Sequence, residues 1–153
     1  LILPTEMRGP YLQHLGPVQG GIFSSEGLFM RVLIVEDCPL TAHELAAQLG
    51  GAGYEIIATA AAACDAIRIL QNCACDAAVL DANLAGSSSV PVATALISRK
   101  IPFVVVSGYA PRWLPSELRA APFVPKPVTG AALLEAFSFF RDGAVRKAAI
   151  EAI

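Results

Sequence analysis

A chain of 153 residues, 55% hydrophobic and 16% charged, has the makings of one domain with a real core. No apolar run approaches the roughly 20 residues a membrane span needs. A net charge of −2, with Lys and Arg scattered apart from the mild group Arg141, Arg146 and Lys147, excludes an electrostatic surface for nucleic acid.

Residues 1–29 read apart from the rest. They hold Pro4, Pro10, Pro17 and Gly20-Gly21 with no sustained period, so a poorly ordered N-terminal extension is expected. It has neither a basic start nor a long apolar stretch, and no signal peptide is read there. Cys38, Cys64, Cys73 and Cys75 lack a second Cys or His pair at zinc spacing. They read as reduced thiols of a cytoplasmic protein, not as a disulfide framework.

From residue 30 to about 150 the chain alternates. Arg31–Val35 is a short apolar run, read as a buried strand. Pro39 starts a helix with Ala42, Leu45, Leu49 and Ala52 at helical spacing, and Gly50-Gly51 with Gly53 stop it. Tyr54–Ala58 is the second strand. Cys64, Ile67 and Leu70 mark the second helix, with Asp65 in its first turn. Ala77–Leu80 is the third strand, and a polar loop with three serines follows it. Pro91, Ala93, Leu96 and Ile97 give the third helix, and Phe103–Val106 the fourth strand. Pro111 and Pro115 leave room for only a short or irregular fourth helix. Phe123-Val124 is a brief fifth strand. A closing helix from Ala131 to about Ala149 carries Leu133, Phe137, Phe140 and Ala144 on one stripe. This alternation predicts an α/β fold with a parallel sheet covered on both faces.

The polar residues at the strand ends carry the chemistry. In such sheets the C-terminal ends of the strands converge on one crevice. Glu36-Asp37 follow the first strand, Asp81 the third, Ser107 the fourth and Lys126 the fifth. Three crowded carboxylates repel, and a pKa among them rises unless a cation neutralises them. Mg2+ or Mn2+ suits such an all-oxygen set. The flanking Pro125 and Pro127 argue for a fixed geometry at Lys126, with a cis Lys-Pro peptide admissible.

At these residues the chain resembles the receiver domain of bacterial two-component response regulators. The matching stretches are Val32–Asp37, Val79–Leu84, Val105–Tyr109 and Phe123–Pro127, within residues 30–150. The resemblance implies a flavodoxin-like (βα)5 doubly wound fold with strand order 2-1-3-4-5. It assigns Asp81 as phosphoacceptor, Glu36 and Asp37 with Asp81 as the Mg2+ site, and the Asn83 backbone carbonyl as a further ligand. Ser107 becomes the switch hydroxyl, Phe123 the switch aromatic, and Lys126 the partner of the phosphate. Asn83 and Tyr109 stand where access of hydrolytic water is tuned. The partners implied are a sensor histidine kinase or a histidine phosphotransfer protein, and an unidentified downstream protein.

The chain also departs from the pattern. The loop after Asp81 lacks the usual Pro and is expected to be flexible, and Phe123 lacks a phenolic hydroxyl. The Ser107-Gly108-Tyr109 segment is similar to a subgroup of stand-alone receivers, and this chain is read as one. Ala132, Ala136 and Phe139 lie off the main stripe of the last helix and offer a face for a homodimer or other partner. The alternative reading is a receiver-like adaptor that works without phosphorylation. A phosphohydrolase is disfavoured because Asn83 occupies the position of the needed second acid. A flavin binder is disfavoured because the first strand-helix loop is acidic. The protein is thus not read as an enzyme beyond its own phosphorylation and dephosphorylation.

Overall fold

The computed structural model describes residues 29–151. Its elements in order are β1 (Arg31–Val35), α1 (Pro39–Gly51), β2 (Glu55–Ala60), α2 (Ala63–Asn72), β3 (Ala77–Asp81), β4 (Asn83–Leu84) and β5 (Ser87–Ser88). Then come α3 (Val90–Ser98), β6 (Phe103–Ser107), α4 (Ser116–Arg119), β7 (Phe123–Pro125) and α5 (Gly130–Glu151). The expected extension falls on residues outside those described, apart from Phe29. No helix among the described residues is long and apolar enough to cross a membrane.

Five strands form one sheet in the order β2-β1-β3-β6-β7. Every neighbouring pair is parallel. This is the flavodoxin-like order, with β6 and β7 as the fourth and fifth sheet strands. The central strands β1, β3 and β6 are buried on both sides because their alternate residues feed separate cores. Leu33, Val35, Ala78, Leu80, Phe103 and Val105 pack under α2, α3 and α4. Val32, Ile34, Ala77, Val79, Val104 and Val106 pack under α1 and α5. Each fully buried Leu or Val contributes about 1.5–3 kcal/mol. A single residue's slip in register would send each set to the wrong face.

Two helices end in the same hydrogen-bonded motif with different residues at its left-handed position. In α1 the Tyr54 N–H donates to the Leu49 carbonyl and the Gly53 N–H to that of Gly50. Gly53 sits there at φ +93° without penalty. In α3 the Ile101 N–H donates to Leu96 and that of Lys100 to Ile97, and Lys100 is forced to φ +57°. Lys100→Gly is expected to stabilise the protein by about 1 kcal/mol, read from urea denaturation midpoints.

At the N-terminal edge of the sheet, Arg31 and Asp76 form a two-pronged ion pair, with Nε to Oδ2 at 2.8 Å and Nη2 to Oδ1 at 3.0 Å. The Arg31 backbone N–H also donates to Asp76 Oδ2. The Arg31 hydrogen bonds hold the Asp76 carboxyl below the usual Asp range, against a smaller opposing effect of burial. Its stabilising contribution is therefore present above the ordinary value of about 3.9 and is lost as pH falls through the folded value. Both side chains are about one-third exposed or more, so screening trims the pair. Asp76→Asn is expected to cost about 1 kcal/mol at pH 7, and the difference from wild type should shrink toward pH 3 in urea titrations.

Several local readings are corrected. Tyr54 gives its N–H to the end of α1, so β2 starts at Glu55 and runs to Ala60. In α2, Ala66 and Leu70 are buried and Cys64 is exposed, because small Ala66 lets the helix approach the sheet. In α3, Val92, Ala93 and Leu96 are buried, while Pro91 in the first turn and Ile97 face outward. The loop after Asp81 is a two-stranded antiparallel hairpin, with Asn83 opposite Ser88 and Leu84 opposite Ser87. Ala85 and Gly86 make its turn at φ +51° and +80°. Leu84 anchors it in the core. The proposed face of α5 also contracts. Ala136 is buried and Ala132 packs against the core, because α5 lies flat on the sheet, and Phe139 alone of the three is exposed, at 67%. The fourth helix is short as expected, one turn after a 3-10 turn at Pro111–Trp113, pinned by buried Leu114 and Leu118.

Candidate functional site

The C-terminal ends of β1, β3, β6 and β7 meet at one end of the sheet. Parallel pairing fixes their levels, with Val35 beside Leu80, Asp81 beside Val106, and Ser107 beside Pro125. Glu36 and Asp81 therefore emerge at one level, with Ser107 one residue and Lys126 two residues further along. Glu36, Asp37 and Asp81 bring carboxylate oxygens within 4.8 Å of one another. Glu36 is 2% exposed and Asp81 4%, while Asp37 is half-buried.

Lys126 completes the cluster. Its backbone N–H donates to the Ser107 carbonyl at 2.9 Å, which continues the β6–β7 pairing beyond the last strand residue. Its Nζ donates to Asp81 Oδ2 at 2.7 Å and to Glu36 Oε2 at 2.9 Å. The Lys126–Pro127 peptide is cis. The other oxygen of each acid is also bonded. Glu36 Oε1 accepts the Cys38 N–H at 2.9 Å, and Asp81 Oδ1 accepts that of Asn83 at 3.1 Å.

One ammonium faces three carboxylates, and Glu36 and Lys126 are both displaced from their ordinary values. Burial pushes the Glu36 carboxyl above the usual Glu range, and Asp81 adds to this. The hydrogen bonds from Cys38 and Lys126 oppose it without cancelling it. Burial works to lower Lys126, but its bonds to Asp81 and Glu36 outweigh that and hold the ammonium above its ordinary value. Charges buried in this way are costly unless paired. The donor set is oxygen only, which fits a hard divalent cation such as Mg2+ or Mn2+.

A family model described as the response regulator receiver domain matches residues 32–138. The chain belongs to that family. A phyllosphere-induced regulator, PhyR, of Methylorubrum extorquens is 32% identical over 127 residues. That match covers 77% of this chain and 47% of PhyR, so the chain spans about half the length of this relative. The solution structure of SdrG from Sphingomonas melonis Fr1 is 34% identical, with a TM-score of 0.66, covering 74% of this chain and 97% of that one. The BeF3-activated conformation of SdrG from Pseudomonas melonis Fr1 is 35% identical, with a TM-score of 0.63, covering 71% and 92%.

The remaining residues singled out from the receiver pattern surround the cluster at different depths. Ser107 is buried at the end of β6, and its Oγ accepts the Tyr109 N–H at 3.0 Å. Among the described residues no hydrogen bond joins that hydroxyl to Asp81. Phe123 is half-buried at the start of β7 and packs against the α2–α4 side of the core. The Tyr109 side chain is largely exposed. Asn83 lies in β4, where its Oδ1 accepts the Gly86 N–H at 3.0 Å.

Sequence reasoning missed the hairpin that follows Asp81 and the residue just after it, Ser89 at the start of α3. That serine is fully buried, and its Oγ donates to the Ala82 carbonyl at 3.0 Å. The Asn83–Gly86 spacing was the available signal, since an Asn side chain often bonds a backbone N–H a few residues on.

Proposed function

We propose that this receiver takes a phosphoryl group onto Asp81 from a sensor histidine kinase or a histidine phosphotransfer protein. The observation that carries the reading is the Asp81 carboxylate itself. It is nearly buried at the tip of β3, bonded to Lys126, and within 4.8 Å of two further acids. Glu36, Asp37, Asp81 and the backbone carbonyl of Asn83 would hold Mg2+ or Mn2+. When bound, the cation supplies positive charge against the carboxylates and against a phosphoryl group.

The chain's own residues divide the rest of the work. An Asp81 oxygen attacks phosphorus in line; a P–O bond forms and the bond from phosphorus to the donor imidazole breaks. Lys126 donates hydrogen bonds to the phosphoryl oxygens, and Ser107 offers its hydroxyl to one of them. The product is an acyl phosphate, which water removes in time. Asn83 and Tyr109 shape the approach of that water. Ser107, the last residue of β6, and Phe123, the first of β7, carry the change to the surface formed by α4, β7 and α5. There a downstream protein or a second copy docks, with Phe139 as one exposed contact. The BeF3-activated conformation of its SdrG relative supports the reading.

The test is incubation with acetyl phosphate followed by intact mass measurement. One phosphoryl group per chain is expected with Mg2+ and none with EDTA. Absence of labelling with Mg2+, both from acetyl phosphate and from a panel of kinases, returns the protein to the adaptor reading.

A further inference from the structure

The Ala82–Asn83 peptide group is held at both polar ends. Its N–H, on Asn83, donates to Asp81 Oδ1 at 3.1 Å. Its carbonyl, on Ala82, accepts from Ser89 Oγ at 3.0 Å. One continuous chain of hydrogen bonds therefore runs from the Ser89 hydroxyl, through a single peptide group, to the carboxylate. Such chains polarise: a donor on the carbonyl makes the N–H of the same peptide a stronger donor. The other carboxylate oxygen, Oδ2, is taken by Lys126 at 2.7 Å.

The fold supplies this geometry deliberately. Residue 89 returns beside residue 82 only because β4 and β5 pair, Asn83 opposite Ser88. The Gly86 N–H on Asn83 Oδ1 closes the turn, and buried Leu84 fastens the hairpin to the core. The Ala82 N–H donates to the Val106 carbonyl at 3.0 Å, which fixes the residue from the other side. Ser89 is wholly shielded from solvent, so no water competes for its hydroxyl.

We infer that Ser89 is a positioning residue for Asp81. Its hydroxyl orients and polarises the 82–83 peptide, and that peptide holds the carboxylate in the orientation from which it meets phosphorus. The inference rests on the reading of Asp81 as phosphoacceptor. It differs from a purely structural role, in which Ser89 merely satisfies a buried carbonyl.

Two variants separate the roles. Ser89→Ala removes the donor, and Ser89→Cys keeps the shape of the side chain, slightly enlarged, with a much weaker one. With acetyl phosphate and Mg2+, the maximal phosphorylation rate of both is expected to fall roughly tenfold or more, as small losses of alignment do. The acetyl phosphate concentration for half-maximal rate should stay unchanged. In NMR spectra of the unphosphorylated proteins, the Asn83 amide proton should move upfield and exchange faster. A folded variant of either kind that phosphorylates at the wild-type rate, or leaves the Asn83 amide unmoved, overturns the inference. If Ser89→Ala does not fold, the Cys variant decides alone. A wild-type protein that accepts no phosphoryl group sinks the phosphoacceptor reading and the inference with it. A labelled wild type with unaffected variants sinks only the inference.

Discussion

Asp81→Asn is expected to yield a folded protein that accepts no phosphoryl group, a loss of at least about a thousandfold, as removal of a nucleophile produces. An amide oxygen has little tendency to attack phosphorus, and no other carboxylate ends β3. The fold should tolerate the change. The amide can still accept the Asn83 N–H through its oxygen, and Lys126 keeps Glu36 at 2.9 Å. The variant also removes one of three crowded negative charges. Its metal-free stability should therefore lie within about 1 kcal/mol of wild type or above it. Intact mass after acetyl phosphate treatment, beside a thermal melt, checks both halves. Wild-type labelling of a folded Asp81→Asn protein would move the acceptor elsewhere.

The second large effect lies in the core. Phe137→Ala is expected to cost about 3–5 kcal/mol, the range for truncating a buried aromatic ring. Phe137 is wholly buried between α5 and the sheet. Its ring meets Tyr54 edge-on at 5.3 Å and Phe140 at 5.4 Å, so three rings lose their shared contacts at once. Arg141 lies over the Tyr54 ring at 4.6 Å and donates to the Ala52 carbonyl at the end of α1, which ties the same cluster to a second helix. Urea denaturation gives the magnitude. A cost under about 1 kcal/mol would mean that α5 does not seat on the sheet through this ring.

The site acids and Lys126 were legible in the sequence because each interrupts an apolar run. Val32–Val35 and Ala77–Leu80 are buried on both faces, so the first charged residue after each marks the sheet's edge. Strand order followed from the receiver pattern, and the short fourth helix from two prolines. Other features were less legible for local reasons. Ala85 at φ +51° is not a residue that announces a tight turn, so the hairpin read as a loose serine-rich loop. Alanine is equally at home inside and outside, which misled the reading of Ala136 on α5 and passed over Ala66 on α2. The bond from Ser89 to Ala82 depends on a chain reversal that no local pattern encodes.

The ion pairs at the two ends of the central strands have one further consequence. Arg31 and Asp76 tie the starts of β1 and β3 together, and Lys126 ties their far ends through Glu36 and Asp81. These strands also have hydrogen-bonded neighbours on both sides. Neither can fray from a tip, as peripheral β2 or β7 can. Partial openings that loosen the rim of the sheet leave this pair closed. The amides of Val32–Val35 and Ala77–Leu80 are expected to exchange with solvent at the rate set by global unfolding, so that their protection gauges the stability of the whole domain.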